Sequence, residues 1–477
     1  MSTKKSRKKL STPNSDENHK NGADNTNAQR SETQIFYPFA YAISDDQTSN
    51  YCWYCLDDGY GPLKKCSKCK VAVFCSKECI SRGWIDHKAE CKGYRNMGSV
   101  SKQTIEVRML GRIAARAKLI KEQNPALKDP NFHRGRVSKR HINDLISHCM
   151  DILNDKPVYG NFVSTYHQLV NFYPESFLED QETLFEYYCK NIINRHGIND
   201  LECQKEIGKA LYLDLAALDH SCSPNVVYTC DGITCTLRSI VPGLKNTFEN
   251  KVQLHYAYID LLVPRTERRT QLRQDWYFDC ECERCIREAK SGDPLTGLQC
   301  SKCDGLVIIP EDAEANALSC SECYAEISDD VVRQGRQLMS EIDGKLKMCH
   351  GGGCEVEYIE LEQLLQCSRR ILHAKNAYRI RLIQAITPYI KSYEQLLNYY
   401  GDALECIRYC YRPYHPTLAY HIQTMAFLCK KLNLKSQALN YLDEARTIME
   451  FLYGKGHQVT RNILSQLEEV KQNGLLR

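Results

Sequence analysis

From Val107 onward the chain places apolar side chains at Leu110, Ile113, Ala114, Ala117 and Ile120. These steps of three and four predict a helix with one buried stripe over residues 103–125. Arg108, Arg112 and Arg116 recur at every fourth position on one flank, which is expected to be a solvated face rather than a nucleic-acid surface. Residues 141–200 keep the helical period and add aromatics. Between 211 and 263 the period drops to two: the β-branched runs "NVVYTC" and "GITCTL", set off by Asp-Gly and Pro-Gly turns, read as strands. Helices return after Cys285. In the last long stripe, Ala438, Leu442, Ala445, Met449 and Leu452 share a face, with Ser436 the expected N-cap and Gly454 the expected stop. Small alanines at alternate turns let helices approach closely, and the spacing hints at a repeat of roughly 34 residues without its full signature. Residues 1–33 are almost wholly polar, cannot offset their ordering entropy and are expected to be disordered. Their "KKSRKK", Lys4 to Lys9, reads either as a nuclear import signal or as a solvated basic run.

Composition changes the picture in two ways. A chain of 477 residues is expected to form about three domains. Its 63 basic and 59 acidic residues are too nearly balanced to imply that the whole protein binds polyanions, so partner class has to come from sites. The unusual term is cysteine, 26 of them, many in C-x2-C pairs and without an N-terminal apolar run of secretory or membrane-spanning length. An intracellular protein is expected, in the nucleus, the cytoplasm or both, where thiols stay reduced and paired cysteines are metal ligands.

Within 52–91 the pairs are Cys52 with Cys55, Cys66 with Cys69, Cys75 with Cys79, and His87 with Cys91. Eight ligands suit two tetrahedral zinc ions. Alternate pairing puts Cys52, Cys55, Cys75 and Cys79 on one ion and Cys66, Cys69, His87 and Cys91 on the other; a sequential arrangement stays open. The run "CSKCKVAVFCSKECISRGWIDHKAEC" resembles a MYND finger, which implies a protein-interaction module docking proline-containing peptides. "CECERC" supplies Cys280, Cys282 and Cys285, one ligand short of a tetrahedron, and Cys222 in "LDHSCSPN" is the best fourth candidate, the alternative being an inert core thiol. Cys300, Cys303, Cys320 and Cys323 have zinc-ribbon spacing. Sixteen ligands predict about four Zn2+ ions. "CHGGGC" at 349–354 reads as a flexible loop.

In chain order stand the finger, "VRMLGR", "INRHGI", "LDHSCSPN", "YIDLLVPRTERRTQLRQDWYFDCECERC" and a helical tail. This series resembles the SET and MYND domain (SMYD-type) protein lysine methyltransferases, closely over 35–285 and loosely in the C-terminal helices. The resemblance implies an α+β fold: a β-rich SET core interrupted by a MYND zinc finger, with a zinc-bound post-SET segment and a C-terminal α-helical TPR-like domain. The segments it implies are a disordered tail (1–33), a remnant of the N-terminal SET strands (34–51), the finger (52–91), a helical insert (92–200), the SET core (201–263), the post-SET zinc segment (264–290), a zinc-ribbon-like insert (291–328) and the helical domain (329–477).

The activity implied is methyl transfer from S-adenosyl-L-methionine to a protein lysine, histone tails among the candidates, by a monomer with no membrane and no nucleic acid as main partner. Such a displacement needs a neutral amine, alignment and exclusion of water. A narrow aromatic channel supplies the first by desolvation, and a Tyr hydroxyl orients amine and methyl. By the resemblance Tyr258 is that catalytic Tyr, with Tyr256 in the same channel; on its own Tyr258 reads as a strand-core aromatic. The resemblance assigns cofactor contacts to His141, Asn194, Asp219, His220 and Phe278, and makes His220 a shaper of the pocket rather than an acid or base.

Two places depart from the family. Ahead of "FYPFAYAI" the strands with a Gly-x-Gly loop for the cofactor's methionine have no counterpart, which points either to a degenerate relative or to upstream sequence. In "ENKVQLHYAY", Lys251, Val252 and Gln253 replace a Gly-Glu-Glu-Leu pattern, and Asp219 stands where Asn is usual. A rival reading therefore remains, a zinc-stapled adaptor that binds proteins through finger and helices and has lost catalysis. DNA binding through the finger and the arginine flank is a third, weaker one.

Overall fold

The structure is a computed structural model that describes residues 33–58, 61–97, 103–123, 130–131, 136–137, 139–200, 205–241, 253–310, 318–350, 358–411 and 413–472. The polar N-terminal run with Lys4 to Lys9, residues Lys251 and Val252, and 351–354 of "CHGGGC" lie outside them.

Strand β1 (Thr33–Phe36) and β2 (Ala40–Ile43) precede the finger, which holds β3 (Lys64–Lys65), β4 (Val73–Phe74) and helix α1 (Lys77–Met97). Helix α2 (Ile105–Gln123) follows, then the short pair β5 (Pro130–Asn131) and β6 (Arg136–Val137). Helices α3 (Cys149–Asn154), α4 (Lys156–Phe172) and α5 (Gln181–Asn194) come next. The α4 and α5 starts are capped by Asp155 and Asp180, whose side chains accept from backbone N–H groups of the first turn.

Two small sheets carry the centre. In one, β8 (Glu206–Leu211) lies between β2 and β7 (Arg195–Asn199). In the other, β11 (Thr234–Ser239) lies between β1 and β10 (Val226–Asp231), and Gly232 at φ +56° makes the hairpin turn. The two-residue strands β9 (Asp219–His220) and β12 (His255–Tyr256) pair in parallel, so "LDHSCSPN" is laced to the stretch that ends in Tyr258.

Helices α6 (Arg265–Trp276) and α7 (Glu283–Ser291) lead to a ribbon of two hairpins. These are β13 (Leu298–Gln299) with β14 (Leu306–Val307), and β15 (Leu318–Ser319) with β16 (Glu326–Ile327). Helices α8 (Asp329–His350), α9 (Tyr358–Ile371), α10 (Ala377–Ile386), α11 (Tyr393–Cys410), α12 (Pro416–Lys431), α13 (Lys435–Tyr453) and α14 (Gln458–Gln472) complete the chain. Cys349 and His350 belong to the end of α8, so the loop reading fails for them. Ser436 is not the N-cap of α13: Leu434 holds that place, and Ser436 is already inside the helix. Gly454, at φ +82°, does end it. Ala419, Ala426, Ala438 and Ala445 are all buried along the packed α12 and α13.

One sequence expectation is overturned outright. Arg108, Arg112 and Arg116 are buried, not solvated. Strand β2 pairs with β8 on one side only, and on its other edge the arginines take the place of a partner strand. Arg108 donates to the Ile43 carbonyl, Arg112 to that of Tyr41 at 2.6 Å, and Arg116 to that of Phe39. The match is geometric: four helical residues rise about 6 Å, and two strand residues about 6.6 Å. Successive arginines thus meet alternate carbonyls. Their charge is answered from α1, where Arg112 meets Glu90 at 2.7 Å and Arg116 meets Asp86 at 2.9 Å.

Among the described residues the core forms two large apolar clusters, one joining the finger, both sheets, α1, α2, α4 and α5, the other joining α6, α7, the ribbon and the C-terminal helices, and a small third cluster of Ile152, Cys189 and Ile193. Tyr258 packs against both large clusters. No helix among the described residues is long and apolar enough to cross a membrane.

Candidate metal centres and active site

Among the described residues four groups of ligand atoms converge, each within 4.8 Å: Cys52, Cys55, Cys75 and Cys79; Cys66, Cys69, His87 and Cys91; Cys222, Cys280, Cys282 and Cys285; Cys300, Cys303, Cys320 and Cys323. The finger ligands therefore alternate along the chain. A tetrahedron with Zn–S near 2.3 Å has S–S edges of about 3.8 Å. The thiol pairs run from 3.4 Å (Cys75–Cys79) and 3.5 Å (Cys303–Cys320) to 4.0 Å (Cys222–Cys280). Both donor set and spacing fit Zn2+. In the second finger group His87 turns Nε2 to the Cys69 thiol at 3.5 Å, while its Nδ1 faces Glu90 at 3.6 Å. Burial opposes the charge on Glu90, yet Arg112 and His87 hold its carboxyl down at about 2. Such a carboxylate fixes the ring orientation of a metal-bound His.

The third group is wired to Tyr258. The Tyr258 backbone N–H donates to His220 Nδ1 at 3.0 Å, so the ring proton sits on Nε2 and points at the Cys222 thiol, 3.2 Å away. An ion held by Cys222 and the 280–285 thiols thereby fixes the imidazole, and the imidazole fixes the Tyr258 backbone. The Tyr258 hydroxyl donates to the Leu218 carbonyl at 2.6 Å, and burial, with Asp219 adding, pushes the phenol upward from its ordinary value. The hydroxyl stays protonated, its hydrogen engaged by Leu218, and the Tyr256 hydroxyl also reaches it. Its ring lies 5.0 Å from Tyr256 and 5.5 Å from Trp276, centroid to centroid.

Two neighbouring cavities share this wiring. One, of about 330 Å³, is lined by Asn194, His196, Tyr228, Tyr256, Tyr258 and Trp276 among others. The other, of about 550 Å³, is lined by His220, Phe278 and the Cys280–Cys282 turn. Asn194 thus comes together with Tyr258, and His220 with Phe278, their rings 6.2 Å apart. Asp219 is exposed and lines neither cavity; His141 lines neither and caps a short turn through Asn143 N–H. The Asn194 amide donates to the carbonyls of Ile146 and Lys190, both at 2.8 Å, which leaves its oxygen for a ligand.

The family model for the MYND finger matches residues 52–91. The human N-lysine methyltransferase SMYD2 is 25% identical over 443 residues, covering 90% of this chain and 91% of its own length. N-lysine methyltransferase SMYD2-B of Danio rerio is 25% identical over 438 residues with the same coverage. The mouse histone-lysine N-methyltransferase SMYD3 is 24% identical over 454 residues, 91% of each chain. Over about nine-tenths of its length the chain is thus similar to proteins named as SMYD-type lysine methyltransferases. The cavity residues that sequence reasoning missed are His196, Tyr228 and Trp276. His196 is buried, its Nε2 2.7 Å from the Tyr256 hydroxyl, and burial lowers it to about 4. Its Nδ1 lies near the Asn194 carbonyl without a well-formed hydrogen bond. A signal existed: His196 lies in the same "INRHGI" run as Asn194, just past the point where α5 ends at Asn194 and β7 begins. Trp276 donates from Nε1 to the Ile193 carbonyl at 3.0 Å, a contact across the fold that no local pattern announces.

Proposed function

We propose that this chain is an S-adenosyl-L-methionine-dependent protein lysine N-methyltransferase. The observation that carries the reading is the Tyr258 hydroxyl, hydrogen-bonded to Leu218, in an aromatic cavity that also holds Asn194. When bound, the sulfonium cofactor supplies an activated methyl group. Asn194, His220 and Phe278 are the residues proposed to hold it, with His141 and Asp219 at the periphery. Tyr256, Tyr228 and Trp276 strip water from an incoming lysine, which favours its neutral form. Tyr258 Oη then accepts weak C–H···O contacts that align methyl and nitrogen. The named relatives act on lysine, one of them on histone lysine, which supports protein substrates with histone tails among them.

Proline-containing peptides are proposed for the groove beside α1, where Trp84 and Ile85 stand with Leu119 and Phe177. The proposed state is a monomer of the nucleus or cytoplasm with the segment boundaries set out above. One observation favours the adaptor reading. The two cations lining the Tyr258 cavity are already paired, Arg195 with Glu106 and Lys209 with Glu206, both at 2.7 Å, and neither is left for a cofactor carboxylate.

Methylation of a lysine peptide separates the two readings. Tyr258→Phe is expected to lower turnover on the order of a hundredfold, the scale of losing one preorganised polar group. The lost Leu218 hydrogen bond costs about 1 kcal/mol of stability. Equal turnover in the variant contradicts the role of Tyr258, and no turnover in the wild type favours the adaptor.

A further inference from the structure

We propose that Lys209 is itself a methylation site, modified within the same molecule by the cavity it lines; the proposal rests on the methyltransferase reading. Strand β8 pairs Gly208 with Ile198 and Glu206 with Asn199, which leaves Ile207 unopposed as a bulge. A bulge shifts the alternation of a strand by one residue. Glu206 and Lys209, three apart, therefore share a face that a regular strand would deny them, and Lys209 Nζ meets Glu206 Oε1 at 2.7 Å. Directly opposite Lys209 on β7 stands Gly197. A Cβ there would run into the Glu206 carboxylate, so the glycine opens the space that the pair occupies.

Both residues line the cavity of Asn194, Tyr256 and Tyr258, and Lys209 is the one lysine among the described residues that does. Its side chain is 29% exposed, and its long stem pivots from a rigid strand. Bulges next to reactive sites re-aim side chains, and here the side chain re-aimed is an amine of the class the cavity is proposed to accept. When the pair with Glu206 opens, the ammonium proton passes to water. The lone pair on Nζ then forms the new N–CH3 bond as the C–S bond of bound S-adenosyl-L-methionine breaks. The sulfur keeps that electron pair as a thioether, and the charge it gives up appears on the methylated ammonium. The same side chain, while it occupies the cavity, excludes a lysine from outside.

Two measurements on the full zinc-loaded chain test this. Mass spectrometry after incubation with S-adenosyl-L-methionine should find the mass of a methyl group on Lys209, gained at a rate independent of protein concentration and absent in Lys209→Arg. Without any methyl donor, a fluorescent lysine peptide should bind Lys209→Ala about tenfold more tightly, the factor for a site blocked nine-tenths of the time. An unmodified Lys209 beside a methylated peptide in the same tube overturns the proposal. So does a rate that scales with concentration, or unchanged peptide affinity in Lys209→Ala. If calorimetry finds no binding of S-adenosyl-L-methionine at all, the methyltransferase reading itself falls and carries this inference with it.

Discussion

The second finger site and the ribbon site each offer four ligands from two short-spaced pairs, yet they are built differently. In the finger, Cys66, Cys69, His87 and Cys91 are all buried, and behind His87 stand Glu90 and Arg112, themselves buried and bonded through two contacts of 2.7 and 2.9 Å. In the ribbon, Cys303 and Cys323 are exposed, and besides the neighbouring thiols the buried Cys300 and Cys320 accept from the local backbone N–H groups of Lys302 and Glu322, both at 3.4 Å. Ligand spacing specifies that an ion can be held. Burial and the groups behind the ligands specify how firmly, and only the fold supplies those. The tail site belongs with the finger in this respect: Cys222, Cys280 and Cys285 are buried, and His220 ties them to Tyr258.

The largest effect expected from breaking that contrast is at the tail. Cys282→Ser removes one thiolate from an ion whose binding is folding energy, roughly 10–16 kcal/mol for a structural zinc. Metal analysis should fall from about four zinc per chain to about three, with a lower unfolding temperature. An unchanged count would mean that these thiols do not share an ion. Arg112→Met should come next. It leaves Glu90 buried without its cation at a cost of about 3–5 kcal/mol, read by thermal or denaturant unfolding, whereas a truly solvated arginine would change stability by about 0.5 kcal/mol or less. The smallest effect is one of rate. Under a competing chelator, alkylation mapped by mass spectrometry should reach Cys303 and Cys323 before Cys66 and Cys91, and equal rates would dissolve the distinction between the sites.

What could be read from the chain alone follows the range of the interaction. Zinc pairs such as Cys66 with Cys69 are local, set by a tight turn, and legible. The stripe of α2 and the strands β10 and β11 were legible for the same reason, since burial of one face leaves its period in the sequence. Arg108, Arg112 and Arg116 were not. An i, i+4 row of cations reads the same whether it meets water or the bare edge of β2, and the edge lies more than sixty residues away in sequence. Lys209 was illegible for a related reason: a bulge at Ile207 reverses the face on which every later residue of β8 falls, and nothing in "EIGKAL" marks it. Of the cofactor candidates, Asn194 and His220 acquire defined partners from the fold, while His141 and Asp219 stand outside both cavities.

The central claim is that thiols from two distant segments hold one ion and, through His220, hold Tyr258 at a methyl-donor cleft. Parallel calorimetric titrations of S-adenosyl-L-methionine onto the wild-type chain and onto Cys282→Ser test it most directly. The account predicts one saturable site in the wild type and none in the variant; no heat in the wild type, or the same affinity in both proteins, would contradict it.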